Sequence, residues 1–309
     1  MTIPFIPIRC QAVLACPGIR PIGCGEVLRR IIGKTVMSIA GADAKVICGA
    51  DQLCAGLEAG IEAAVHAMND LFSEHAGSGW GVLLVDAANA FNALNRKAAL
   101  WQARFLWPRA ARFLFNTYKG WAFLVLQGAD EFLLSKEGTT QGDPLAMAFY
   151  AIGILPLIRS LKDLKRRTQM WYADDASAGA TLVEARQWFD QLCADGPAYG
   201  YFPEPTNSFI VVGECDVESA TQLFSDIGVK VVTSQRLLGG HIGSREGLET
   251  FLRKKVTEWD AGVTKLAHLT KAQPQNAYAA LTKSLQCEWN YLQRVVPDCG
   301  PHFESFNCP

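Results

Sequence analysis

The sequence predicts an α+β fold. Three observations carry that prediction: two short apolar strand segments that each lead into aspartate, long stretches with three- and four-residue apolar spacing around them, and a mostly helical end from Arg245. Half of the 309 residues are hydrophobic and 19% are charged. That composition buries a sizeable core and is too apolar for a disordered chain. The formal net charge is −1, so total charge does not argue for a nucleic-acid partner, and any basic surface must be local.

In chain order, residues 1–25 read as strand and turn, and Glu26 to Ser38 as a short helix with Val27, Ile31 and Thr35 on one side. Gln52 to Ser73 reads as a stronger helix on the spacing of Leu53, Leu57, Ile61, Val65, Met68 and Phe72, weakened by Gly56 and Gly60. The run from Trp80, WGVLLVDAA, is glycine-bounded and fits a buried strand ending at Asp86. Asn95 to Tyr118 is helical and basic, and Pro108 interrupts it. No acid occurs from Asn95 to Lys119, and Trp101, Phe105, Trp107, Phe113 and Tyr118 are interleaved with the cations. The rings read as core and the charges as a solvated face; the competing reading is a track for a nucleic-acid strand.

Residues 121–135 read as a hairpin turning at Gly128-Ala129-Asp130. A loop from Gly138 to Asp143 leads into a long apolar helix, Pro144 to about Leu161. Thr168 to Thr181 reads as two short strands with an acidic tip, Tyr172-Ala173-Asp174-Asp175. Glu184 to Asp195 follows as helix, then strands at 209–213 and 229–233. From Lys230 to Arg294 the charges balance to +5, and the run Arg253-Lys254-Lys255 suits either a duplex-holding helix or a solvated helix end.

Several classes are excluded. The N-terminus has no apolar core after a basic start, which argues against a signal peptide. No run of 18 apolar residues exists, so no membrane span and an intracellular site, cytoplasm or nucleus, are expected. The ten cysteines include no repeated C-x-x-C pattern, and Cys299, His302 and Cys308 lack a fourth partner, so buried reduced thiols are expected rather than zinc. Gly33-Lys34-Thr35 is not a phosphate loop, because the earlier glycine position holds Leu28.

The chemistry lies in Asp86 and in Asp174-Asp175. A lone carboxylate at the end of a buried strand is costly unless it is paired or bound to a cation. Two such strands side by side would bring Asp86 and Asp174 to one divalent ion, and hard oxygen ligands with phosphates favour magnesium.

Five segments resemble the reverse transcriptases, the RNA-directed DNA polymerases of retroelements, in the manner of non-LTR retrotransposons. They are GIRPIGCGEVLRRIIGK (18–34), VLLVDAANAFN (82–92), EGTTQGDPLAMAFY (137–150), YADD (172–175) and LLGGHIG (237–243). Their order matches the family's, and they span residues 18–243. The resemblance implies a right-hand polymerase fold with a split βαβ palm, partial fingers and a helical thumb-like region. Its division of this chain is fingers at 1–78, palm at 79–95, fingers at 96–138, palm at 139–235 and thumb at 236–309. It implies two magnesium ions, manganese being an alternative. Asp86 and Asp174 are the implied ligands, the Ala87 carbonyl adds one, and Asp175 supports the site. Phe91 falls at the sugar gate, where a phenyl ring clashes with a ribose 2′-hydroxyl. Gln141 and Gly142 line the nucleotide and Arg20 meets its triphosphate. The implied partners are an RNA template, a DNA or RNA primer and deoxynucleoside triphosphates.

The pattern departs from the family at two places. Asn207 stands where a lysine is expected to protonate the leaving pyrophosphate, and an amide is no general acid. Ala146 stands where relatives often have serine. The chain also opens close to the first of the five segments, with no sign of an endonuclease, integrase or RNase H region. Two further expectations follow: a truncated or domesticated chain that binds nucleic acid without polymerising, and an RNA-directed RNA polymerase, which Phe91 argues against.

Overall fold

A computed structural model describes residues 26–125, 132–140, 142–162, 168–297 and 299–301. The elements in order are α1 (Val27–Cys48), α2 (Gly60–His75), β1 (Trp80–Val85), α3 (Ala90–Ala93), α4 (Arg96–Leu106), α5 (Pro108–Tyr118), β2 (Ala122–Val125) and β3 (Phe132–Ser135). There follow α6 (Ala146–Lys162), β4 (Thr168–Tyr172), β5 (Asp175–Thr181), α7 (Leu182–Tyr199), β6 (Phe209–Val212), α8 (Val217–Phe224) and β7 (Lys230–Val232). The last are β8 (Ser234–Leu237), β9 (Gly240–Gly243), α9 (Arg245–Thr270), α10 (Pro274–Ala280) and α11 (Gln286–Val295). A five-stranded sheet has the order β4-β5-β1-β6-β7, with β1 antiparallel to β6 and β6 parallel to β7. Two separate hairpins, β2-β3 and β8-β9, accompany it.

The chain divides into two compact units. The first takes in Met1–Gly60, Val85–Ala178 and Val183–Ser208. Its centre is α6, buried at 12 of 17 positions, and a helix apolar all round belongs inside a core. The small side chains of Ala40, Ala44 and Cys48 form the buried face of α1. Trp107, fully buried, donates its indole N–H to the Ala40 carbonyl at 2.8 Å. Gly153 lets α6 approach α4, since a Cβ there would meet Ala99 at 2.8 Å. Arg96 is buried at 4% exposure and donates to the carbonyls of Gly138, Ser135 and Glu137 at 3.0, 3.0 and 2.7 Å. It is therefore a strut for the loop before α6, not a surface cation.

The second unit takes in Ile61–Leu84, Gly179–Leu182 and Phe209–Pro309. Val82, Leu83 and Leu84 of β1 face a core with Ile210, Val211 and Val212 of β6. Asn69 on α2 donates to the carbonyl of His241 on β9 at 2.8 Å, which ties the second hairpin to that helix.

Strand β1, the acidic hairpin, the long apolar helix and the break at Pro108 lie where the sequence predicts them. Other expectations need correction. The first helix runs ten residues past Ser38, and its Val27 and Ile31 are 74% and 56% exposed, so the expected apolar side is not the packed one. Gln52 to Ser73 is not one helix. A 3₁₀ turn at Leu53–Ala55 ends at Gly56, whose φ of +103° leaves the helical region, and α2 starts at Gly60. The helix expected at Glu184 to Asp195 extends to Leu182–Tyr199. Cys48 and Cys299 are buried thiols as expected, but Cys193, Cys215 and Cys287 are exposed. The expected turn at 128–130, His302 and Cys308 lie outside the described residues. No helix among the described residues is long and apolar enough to cross a membrane.

Candidate catalytic carboxylate site

Asp86 follows directly on β1, where five consecutive residues are buried and the chain has no freedom to slip. Beyond it the backbone is zipped to residues 202–208. Ala88 N–H donates to Phe202 at 2.8 Å, Glu204 N–H donates to the Asp86 carbonyl at 2.8 Å, and Ala87 forms an antiparallel bridge with Pro203. Asp86 N–H donates to the hydroxyl of fully buried Ser208 at 3.3 Å. In a bridge of this pattern the bonds belong to the flanking residues. The N–H and C=O of Ala87 therefore point away from Pro203, toward the edge on which β5 lies.

Asp174 and Asp175 sit at the tip between β4 and β5. Two buried side chains from distant segments hold that tip by its backbone. The amide of Gln52, fully buried, accepts from Ala173 N–H at 2.8 Å and donates to Ala173 C=O at 2.9 Å. Such a two-point clamp matters because Ala173 has φ +55°, a left-handed conformation that a side-chain-bearing residue rarely adopts. The Tyr201 hydroxyl donates to the Asp174 carbonyl at 2.9 Å. Its ring, fully buried, stands edge-on to Trp171 at 5.3 Å.

Tyr201 also reports where the acids lie. Burial raises its pKa well above the phenolic value, and the charges of Asp174, Asp175 and Asp86 all push in the same direction. All three carboxylates thus act on one hydroxyl. Burial raises Tyr150 in the same way, with Asp174 and Asp175 contributing. Its hydroxyl is buried without a hydrogen-bond partner among the described residues. Cys54, beside the turn, is pushed up to about 12 by burial, and such a thiol is inert.

Phe91 lies on α3 and stacks on Tyr150 with ring centroids 4.4 Å apart. The loop before α6 is pinned beneath it, since Thr139 N–H donates to Phe91 C=O at 2.6 Å and Gly138 N–H to Leu94 C=O at 2.9 Å. Gly138 has φ +75°, and a Cβ there would strike the Asn92 backbone, so only glycine fits. Gly142, exposed with φ +103°, lies on the same loop. Asp143 closes it: one carboxylate oxygen accepts from Leu145 N–H at 2.9 Å, the other from Arg29 at 2.6 Å.

Of the residues expected from sequence, Asp86, Ala87, Phe91, Gly142, Asp174 and Asp175 lie in the first unit, while Arg20 and Gln141 lie outside the described residues. Gln52, Tyr201, Ser208 and Arg29 were missed. None carried a local signal, because their partners are far away in the chain; Gln52 and Ala173 are 121 positions apart. Asn207 ends a 3₁₀ turn, Pro205–Asn207, within the segment zipped to Asp86, and is exposed. Among the described residues no three His, Cys, Asp or Glu side chains form a metal cage. The donors are hard oxygens, two carboxylates with a third beside them and the Ala87 carbonyl. That set fits magnesium, which takes one or two carboxylates and leaves its other positions to phosphates and water.

No family model and no curated protein matches the chain. Solved structures do. The apo telomerase of Candida tropicalis matches with a TM-score of 0.51 at 9% identity, over 68% of this chain and 39% of that one. The telomerase of Candida tropicalis in complex with a TWJ fragment of telomeric RNA matches with a TM-score of 0.51 at 10% identity, over 89% of this chain and 47% of that one. The chain thus spans less than half the length of either. At such identities the likeness is one of fold alone.

Proposed function

We propose that this chain is a template-directed nucleotidyltransferase, an RNA-directed DNA polymerase of retroelement type. The observation that carries the reading is the placement of Asp86 at the end of β1 and of Asp174 and Asp175 at the turn into β5, its neighbour in the sheet, with that turn clamped by Gln52. Likeness to telomerase, a reverse-transcriptase-related polymerase solved with RNA, supports an RNA partner. Two magnesium ions would supply charge neutralisation and an activated primer hydroxyl. The residues' own part is positioning. Asp86 and Asp174 hold hard-oxygen ligands at the ends of adjacent strands, the Ala87 carbonyl joins them, and Asp175 supports the pair. Phe91, braced on Tyr150, presents a ring where a ribose 2′-hydroxyl would fall and so favours deoxynucleotides. Arg20, Gln141 and Gly142 complete the nucleotide site in this reading. The palm is the split βαβ sheet around β1, β4 and β5, with fingers on either side of Asp86 in the chain and a thumb from 236 onward.

Primer extension on an RNA template with magnesium, offering dTTP or UTP, tests the reading. Extension with dTTP in preference to UTP is expected, and Asp174→Ala should lower it by about 10²–10³-fold or more. Equal extension by both proteins would remove the carboxylates from the chemistry. Asn207 favours a second reading, a polymerase-fold chain that holds nucleic acid without extending it. Its signature in the same assay is no extension by wild type at any magnesium or manganese concentration, with RNA binding retained.

A further inference from the structure

Helices α4 and α5 do not hide all their aromatic residues. Trp107 and Tyr118 are core, as the sequence suggests. Trp101, Phe105 and Phe115 are not: they are 57%, 61% and 51% exposed, and Trp121 just beyond is 63% exposed. Isolated exposed rings need no explanation, but four exposed rings within about twenty residues, with Trp101 and Phe105 in edge contact at 5.0 Å, do.

Each ring has a cation over it. Arg104 lies 5.7 Å from the Trp101 centroid and 6.0 Å from Phe105. Lys119 lies 5.5 Å from Phe115, and Lys136 lies 4.6 Å from Trp121. The spacing is helical. Trp101, Arg104 and Phe105 share one face of α4, while Arg112, Phe115 and Lys119 share one face at the end of α5. Neither helix holds an acidic residue, although the chain as a whole is close to neutral. Of the α5 cations, Arg109 is tied to Asp43 at 3.0 Å.

We infer that these exposed rings and their cations bind single-stranded nucleic acid, through residues other than those of the carboxylate site. Exposed rings offer stacking platforms that accept any base. Guanidinium and ammonium groups at their edges offer phosphate partners, and an arginine plane can itself stack on a base. A polyanion with aromatic faces uses both parts of the pattern. A protein partner would match the rings and leave an unbroken run of cations to neutralise. An anionic membrane surface also suits rings and cations, but it needs no cation over a ring face. The inference goes beyond the polymerase reading and stands or falls independently of it.

Fluorescence anisotropy with a labelled unstructured RNA of about 20 nucleotides, longer than the ~4–16 that a single-strand site covers, tests it. The double variant Trp101→Ala/Phe105→Ala should bind roughly tenfold or more weakly, and Trp101→Phe/Phe105→Tyr should keep affinity because stacking survives. Arg112→Gln/Lys119→Gln should flatten the slope of log affinity against log salt by roughly 0.7 for each phosphate left without its cation. Thermal unfolding followed by circular dichroism identifies any variant that has failed to fold. A chain that never extends a primer would end the polymerase reading and leave the binding result decisive for these residues. Affinity within twofold of wild type in both the alanine and glutamine doubles overturns the inference. So does a loss seen only with phosphatidylserine vesicles and not with RNA.

Discussion

Replacing Gln52 by methionine would leave both backbone groups of Ala173 without their buried partner, with almost no change in side-chain volume. Each orphaned group costs roughly 1–3 kcal/mol, so unfolding free energy should fall by about 2–6 kcal/mol in a urea titration. The turn should also loosen locally. Hydrogen exchange at the Ala173 amide should speed up in the variant more than at amides of α6, and primer extension should fall with it. Uniform exchange across the first unit would show that Gln52 only packs. At this scale the sequence is legible in a particular way. Asp86, Asp174 and Asp175 stand out because each sits at the end of an apolar strand and inside a recognisable string. Gln52 and Tyr201 do not, because the information that places them is a hydrogen bond across 121 and 27 positions, formed only when the chain folds. Arg96 is the converse case. It looks like one more cation in a basic stretch, yet it is buried and donates to the carbonyls of Gly138, Ser135 and Glu137.

Apolar spacing gives the existence of most elements and fails at their ends. The segment from Gln52 keeps a helical rhythm through Leu53, Leu57 and Ile61, but Gly56 adopts φ +103° and the helix starts only at Gly60. Rhythm cannot reveal this, because a 3₁₀ turn and an α-helix place the same residues at similar steps for one turn. The sign of one substitution separates the two descriptions. In a continuous helix, Gly56→Ala would stabilise by roughly 1 kcal/mol. In this structure a Cβ at Gly56 meets nothing within 4 Å, so only backbone strain acts. Alanine is held there in a region it avoids, and the expected result is destabilisation by about 1 kcal/mol or more, read as a lower urea midpoint. The rings of α4 and α5 fail differently. Helical spacing predicts that some face is packed, and it correctly includes Trp107 and Tyr118. It cannot say which of several aromatic faces is turned outward, and Trp101, Phe105 and Phe115 are.

For the whole molecule, near-neutral net charge conceals how charge is distributed, and the same holds for its response to acid. His241 on β9 is 6% exposed, and burial lowers its pKa to about 4. It lines a cavity of about 390 Å³ together with Arg236, Lys254, Lys255 and Glu258. Its Nε2 has no hydrogen-bond partner among the described residues, so nothing there rewards protonation. The unfolded chain takes up this proton near pH 6.5 and the folded chain only near 4. Between those values the unfolded state binds more protons, so stability falls as pH falls, by on the order of 3 kcal/mol in all, and levels off below about pH 4 for this group. A second loss begins lower. Burial alone would raise Asp51, but hydrogen bonds from Lys162 and Arg159 outweigh it and hold the carboxyl below its usual value. Glu288 is held down against burial by Lys255 and Trp259. These depressed acids lose their contribution only as pH drops through their folded pKa values, below the His241 window. His241→Leu should therefore remove the upper step and leave the lower one. Urea unfolding of both proteins at pH 7.5, 6.0 and 4.5 would show wild type losing stability across the series and the variant nearly flat. Parallel losses would mean that the imidazole accepts its proton in the folded chain, and that the descent from neutral pH belongs to other groups.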